Sequence, residues 1–263
     1  MKNSTKQFER QKLRVRDKIE RKGISLAKSM IKSQYQYFLD KLHTVGVNQY
    51  DRIEIPESIT KHFFNTFYPM SSTLAVMEYE HLEKQAGKKA EPTDKQTVLN
   101  SIFQSKLTEI VNTTAGKKIT TITATSQETI KQAIRDVLDV ADTEGWGISE
   151  ITSKIYKSVG DNLRGNGYAR ARAIAQTEMI SASNQASTEA AERTGLNYKK
   201  FWSTSGLPGV RETHIEAEEY SNSVDGLNPN DTFPNGLLYP GDPNGAAEEV
   251  INCRCSIMHE IIL

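Results

Sequence analysis

The sequence predicts an α+β protein, a mainly α-helical N-terminal half followed by a small loop-rich α+β C-terminal domain. Three observations lead there. Apolar residues recur at helical spacing through most of the chain up to Arg193, separated by polar and charged positions. After Gly195, turn dipeptides crowd the sequence: Pro208-Gly209, Asp225-Gly226, Asn235-Gly236, Pro240-Gly241 and Asn244-Gly245. Turn signals that dense predict short strands and long loops. Finally, 37% hydrophobic and 25% charged residues in 263 positions supply enough apolar material for a core and argue against wholesale disorder.

The first segment reads as one long helix. Val15, Ile19, Leu26, Met30 and Tyr37 form its apolar seam, and Arg10, Lys12, Arg14, Arg16, Lys18 and Arg21 are expected on the exterior. Gly23 is expected to weaken it by about 1 kcal/mol relative to alanine. After a turn over residues 45–52, Pro56-Glu57 opens a second helix; proline suits the first helical position and glutamate the positive end of the dipole. Ile59, Phe63, Phe67, Met70, Leu74 and Met77 continue at helical spacing, with Pro69 predicting a kink or break. The Phe63, Phe64 and Phe67 cluster is a candidate apolar surface for a partner.

Residues 87–95, GKKAEPTDK, read as a polar connection, and residues 96–111 as a further helix. Residues 118–125, KITTITAT, alternate and predict a short strand. Ser126 is expected to cap the next helix, with Ile130, Ala133, Ile134, Val137, Leu138 and Ala141 on one face and Gly145 as its stop. A shorter helix follows from Ser149 to about Gly160 with Ile151, Ile155 and Tyr156 inward, and residues 160–167, GDNLRGNG, read as a flexible loop. An alanine-rich helix is predicted over 168–193 and a strand over 198–203. The last segment, 249–263, reads as a strand with polar insertions.

Charge is unevenly placed. Lys+Arg and Asp+Glu both total 33, yet residues 1–44 hold 12 basic and 4 acidic side chains, and residues 205–263 hold 2 basic and 10 acidic. Exposed charges act over roughly 8–10 Å, so each end carries its own field to a partner. Arg10, Lys12, Arg14, Arg16, Lys18, Arg21 and Lys22 are therefore the candidate DNA-binding residues, against the alternative of a solvated helix face. No apolar run of about 18 residues occurs and the charged N-terminus lacks a secretory segment, so no membrane contact is expected and the chain is expected in a cytoplasm.

Candidate chemistry lies in Arg211, Thr213, His214, Glu216, Glu218 and Glu219, and in Cys253, Cys255 and His259. A histidine near carboxylates suits a general base or a metal. The sequence has no HExxH, no GxSxG and no phosphate-cradling glycine loop, so no catalytic residue is assigned and no enzyme is expected. C-x-C-x3-H with His214 from 39 residues upstream would make a tetrahedral soft-ligand set. The other reading has both thiols packing as small apolar groups on one face of a strand. No cofactor is expected, with zinc as the alternative.

Several separated motifs then occur in a definite order. They are Ile174-Ala175-x-Thr177-Glu178, Lys200-x-Trp202, Arg211-x-x-His214, Leu-Tyr-Pro-Gly-Asp-Pro over 238–243, and Ile251-Asn252-Cys253-Arg254-Cys255. Together they resemble the C-terminal domain of the phage Mu F-like family, minor head or head morphogenesis proteins of tailed bacteriophages. The resemblance divides the chain into a helical, basic N-terminal region, 1–124, and a Mu F-like head morphogenesis domain, 125–263. It implies a structural virion component inside the head near the portal, present in host cytoplasm during assembly and acting in head assembly and DNA packaging or delivery. The implied partners are the portal protein, packaged DNA, the scaffold and the major capsid protein. Thr177, Glu178, Trp202, Arg211, His214, Asn252, Cys253, Arg254 and Cys255 then take structural roles, with Arg211, His214 and Asn252 tying the loop-rich half together by buried hydrogen bonds. Only eight residues follow Cys255, so no appended toxin domain is expected. The alternative is a metal-dependent nuclease or nucleotide-modifying toxin delivered with the phage DNA.

Overall fold

A computed structural model describes residues 3–88 and 93–262; the middle of the expected polar connection, 89–92, lies outside the described residues. The elements are α1 (Asn3–Val45), a 3-10 turn (Val47–Arg52), α2 (Glu57–Phe67), a 3-10 turn (Tyr68–Ser71), α3 (Ser72–Gln85), α4 (Thr93–Thr114), α5 (Gly116–Glu144), α6 (Ile148–Asn162), a π-helical turn (Leu163–Gly167), α7 (Tyr168–Arg193), β1 (Tyr198–Ser203), α8 (Glu212–Ser223), α9 (Ala247–Val250) and β2 (Ser256–Ile261). A helical N-terminal half and a small α+β C-terminal region are what the turn density and periodicity predict. Pro69 breaks the second helical stripe at the 3-10 turn between α2 and α3, as its missing N–H requires. The chain forms two compact units, one of Met1–Gly23, Thr66–Val111 and Ala175–Leu263, the other of Ile24–Asn65 and Asn112–Ile174.

The second unit corrects several sequence expectations. Residues 118–125 are helical, not a strand, and Ser126 lies inside α5 instead of capping it. Ile119, Thr123, Ser126, Ile130 and Ile134 are buried at intervals of three and four. The threonine hydroxyls that favour strands are absorbed by the helix itself: Thr125 Oγ1 donates to the Thr121 carbonyl at 2.7 Å and Thr129 Oγ1 to that of Thr125 at 2.7 Å. Ser126 is instead part of a buried polar chain, donating to Gln34 Oε1 at 2.6 Å while Gln34 Nε2 donates to Thr60 at 2.8 Å. Gly145 does end α5, its left-handed φ of 68° letting its N–H reach the Ala141 carbonyl. Tyr156 is exposed, not inward, and residues 160–167 are helical and π-helical where a loop is expected.

The first unit holds the β-structure. β1 and β2 pair antiparallel, with Tyr198 opposite Ile261, Lys200 opposite His259 and Trp202 opposite Ile257. Ile180, Trp202, Ala217, Phe233 and Ile257 form its core against α7 and α8. Ala75 of α3, Phe103 and Leu107 of α4 and Ala186 and Ala190 of α7 form a second cluster, where the small α7 residues allow close packing. Gly241, at φ 78°, brings the loop onto the α7 backbone; a Cβ there would lie 3.0 Å from the Ser181 nitrogen.

The N-terminal part of α1 packs in this unit by a face the sequence does not announce. Phe8, Lys12, Arg16, Ile19 and Glu20 are buried, whereas Val15 and Leu26 are only partly covered. Lys12 and Arg16 therefore leave the expected exterior. Lys12 Nζ meets Glu78 Oε2 of α3 at 2.7 Å and the Ile257 carbonyl at 3.3 Å, and Arg16 Nη1 donates to Ser256 Oγ at 3.0 Å. Burial lowers the Arg16 pKa against the pull of Glu9. Phe63, Phe64 and Phe67 are buried as well, so they present no apolar surface.

Gly23 also has a different role from the one expected. A Cβ at this position would stand 2.6 Å from Cζ of the fully buried Phe67 ring. Helix propensity favours Gly23→Ala by about 1 kcal/mol, but overpacking costs about 1–3 kcal/mol. Gly23→Ala is expected to destabilise the protein, and Phe67→Leu in the same chain to recover part of the loss. Urea denaturation of the two variants checks this; a stabilised Gly23→Ala protein would refute it.

Candidate functional site

The residues with the most chemistry converge in the first unit. α8 begins after Arg211, whose extended backbone (φ −69°, ψ 147°) turns the chain into the helix and sets His214 one turn in, facing the core. Its imidazole is 1% exposed. Opposite it, the chain between α9 and β2 is irregular. Asn252 is left-handed at φ 57°, and its N–H donates to Thr177 Oγ1 of α7 at 3.1 Å. The Cys255 N–H folds back to Cys253 Sγ at 3.4 Å, which turns both sulfurs to the same side.

His214 Nδ1 lies 3.4 Å from Cys255 Sγ and 3.8 Å from Cys253 Sγ. All three donor atoms are within 4.8 Å of one another and all three residues are buried. The other ring nitrogen, Nε2, is 2.9 Å from Glu249 Oε2, and Thr213 Oγ1 donates to the same carboxylate at 3.0 Å. A carboxylate only accepts, so Glu249 keeps a proton on Nε2 and turns Nδ1 toward the sulfurs. Trp202 stacks edge-on against His214 with ring centres 5.0 Å apart. A cleft of about 210 Å³ opens over the group, lined by residues including Ser205, Val210, Arg211 and Asn252.

The two thiols are unequal. Hydrogen bonding from Cys253, helped by His214, holds the Cys255 thiol below its usual range against its burial. The same interaction with Cys255, together with burial, pushes the Cys253 thiol up. Two sulfurs and an imidazole nitrogen with this spacing can hold a soft cation or share a proton.

His259 does not join them. It sits on β2 with Nδ1 3.0 Å from Glu78 Oε1, in the buried group that includes Lys12. Glu218 is also engaged elsewhere, accepting from the N–H and hydroxyl of Thr204 at 3.1 and 2.6 Å, and Glu216 and Glu219 are exposed. Of the basic candidates, Arg10, Arg14, Lys18, Arg21 and Lys22 remain exposed.

Residues 132–258 match the family model described as phage Mu protein F like protein. This stretch, a little under half of the chain, is similar to that family. No curated protein and no solved structure matches the chain. The family is one of phage head morphogenesis proteins.

Within the matched stretch, several motif residues tie the loops to one another and to neighbouring elements. Besides Thr177, Glu178 of α7 accepts the Tyr68 hydroxyl at 2.6 Å, and burial followed by that carboxylate raises the tyrosine pKa well above its usual range. Lys200 Nζ donates to the carbonyls of Pro229 and Leu238 at 2.7 and 3.0 Å, and burial lowers its pKa to about 8. Asp242, in the Leu-Tyr-Pro-Gly-Asp-Pro loop, accepts the N–H groups of Leu238 and Asn244 at 3.1 and 2.9 Å. Arg211 Nη2 donates to the Ile251 carbonyl at 2.6 Å, a bond that, like that of Asn252, lies at the surface, so of the three residues expected to tie the loops by buried bonds only His214 is buried; Arg254 pairs with Glu20 at 3.2 Å.

Three participants are absent from the sequence-derived candidates. Glu249 stands four residues before Cys253, and no spacing rule ties it to a histidine 35 residues upstream. Asn184, inside the alanine-rich helix, donates to the carbonyls of Pro240 and Cys255 and accepts the Ile257 N–H. Glu78 lies in an ordinary amphipathic stretch. Asn184 shares its helix face with Ile180, Ser181, Ser187 and Thr188, so nothing in the sequence singles it out among several small polar residues.

Proposed function

We propose that the protein is a structural minor head protein of a tailed bacteriophage, located inside the head near the portal vertex and present in host cytoplasm during assembly. It acts there in head assembly and in DNA packaging or delivery, with the portal protein as its main partner and the scaffold and major capsid protein as neighbours. The observation that carries the reading is the phage Mu F-like match over residues 132–258. Among the described residues no helix is long and apolar enough to cross a membrane.

In this reading the exposed basic face of α1 meets DNA phosphates. Arg10, Arg14 and Lys18 recur every four residues, about 6 Å apart along the helix, with Arg21 and Lys22 following on the same side. Neutralising five phosphates makes binding independent of base sequence and steeply salt-dependent, losing about 10²–10³-fold between 50 and 200 mM salt. Replacing these five residues with Gln is expected to abolish retardation of random duplex DNA at low salt while leaving folding intact. Unaltered retardation refutes the DNA contact. Loss of the gene from the phage is expected to yield defective heads, and the protein is expected in purified particles and in pull-downs with the portal protein. Its absence from particles overturns the head reading.

A further inference from the structure

We propose that His214, Cys253 and Cys255 bind a single Zn²⁺-type cation, with three protein ligands and a fourth position open to the cleft beneath residues 205–211. This site is independent of the head-protein reading and stands on the geometry of these side chains alone.

The spacing fits the ion. Zinc bonds of about 2.3 Å to sulfur and 2.0–2.1 Å to nitrogen, at tetrahedral angles, put a ligating nitrogen about 3.6 Å from each sulfur. His214 Nδ1 stands 3.4 and 3.8 Å from the two sulfurs, so a small adjustment of side chains suffices. Two thiolates and an imidazole select zinc over hard cations such as magnesium or calcium. Each thiol would release its proton to solvent as the ion enters, and two thiolates balance its charge.

The surroundings fit as well. Metal-bound histidines pass their second ring nitrogen to a carboxylate, which orients the ring and raises its basicity. Glu249 occupies that place at 2.9 Å, itself held by Thr213. The Cys255 N–H points at Cys253 Sγ, a donor that a thiolate welcomes. The buried Trp202 indole N–H beside this group has no hydrogen-bond partner among the described residues. Thiols that served only as apolar filling would need neither an imidazole nitrogen aimed at them nor a carboxylate behind that imidazole. The open side is lined by Ser205, Val210 and Arg211, none of which is a fourth soft ligand, so water fills the fourth position in the isolated chain.

Such an ion would fasten α8 to the segment entering β2. The test uses the full chain, purified reduced and without chelator. Elemental analysis is expected to find one equivalent of zinc. Replacement by Co²⁺ is expected to give the intense visible bands of a tetrahedral site and a thiolate-to-cobalt charge-transfer band. Cys253→Ser and Cys255→Ser should each lose that charge-transfer intensity. Should these variants fail to fold, Glu249→Gln keeps all three ligands and is expected to weaken zinc binding about 10–100-fold in competition with a chromogenic chelator. Reduced protein that carries no zinc and gives no tetrahedral cobalt spectrum overturns the proposal. So does zinc retained at full stoichiometry when both cysteines are replaced together.

Discussion

Lys12→Met is expected to lower the unfolding free energy by about 3–5 kcal/mol, the range found when one partner of a buried ion pair is removed. Lys12 and Glu78 are both almost fully buried, 2.7 Å apart. Burial alone pushes the Glu78 carboxyl up, but Lys12, then His259, outweigh it and hold it at about 2, below its ordinary 4.5. A carboxyl with a depressed folded-state pKa adds stability that is fully present above the unfolded value and lost as pH falls toward the folded one. The loss therefore runs from about pH 4.5 down to about 2 and amounts to roughly 3 kcal/mol. In Lys12→Met the carboxyl loses its main counter-charge, so the acid transition moves to higher pH. Urea denaturation at pH 7 and pH 3 measures both effects. Lys12→Met with Glu78→Gln should recover much of the loss, because no buried charge is left unpaired. A single variant within about 0.5 kcal/mol of the parent would show that the pair contributes nothing measurable.

Asn184→Ala should cost a comparable amount, about 3–5 kcal/mol. The side chain satisfies three backbone groups at once: the Pro240 and Cys255 carbonyls at 2.8 and 3.2 Å and the Ile257 N–H at 3.1 Å. Each buried polar group left without a partner costs about 1–3 kcal/mol, moderated where water enters. Asn184→Asp separates the two halves of the role. It keeps an acceptor for Ile257 but turns an oxygen toward two carbonyls, so it should be about as damaging as alanine. Thermal unfolding and the alkylation rate of Cys253 and Cys255 report on the core and the neighbouring thiols. An Asn184→Asp protein as stable as the parent would sink the donor argument.

What could be read from the sequence was mostly local. Helix periodicity located α2, α6 and α7, Pro69 located the break after α2, and alternation located β1, because each depends on neighbours within a few residues. The alternation over 118–125 spans only eight residues, and the longer helical periodicity that Ile119, Thr123, Ser126 and Ile130 share overrides it. The buried face of α1 is not legible locally. Lys12 and Arg16 turn inward only because Glu78 and Ser256 wait for them, and those partners lie 66 and 240 residues away. The site shows the same division. His214, Cys253 and Cys255 stand out as residue types, whereas the spacing that suggests His259 does not bring it to them and only the fold brings Glu249 to His214.

The contact between Lys12 and the Ile257 carbonyl spans 245 residues. Ribosomes add about 5–20 residues per second, so Lys12 is made roughly 10–50 s before its strand partner exists. Through that interval the Phe8, Lys12 and Arg16 face of α1 has no β2 to lie against. Completion of this unit therefore waits for β2 to be made and has a large loop to close, slow relative to the helices. A nascent chain stalled before residue 256 would keep this face open to chaperones, and docking of β2 would be the step that shuts it.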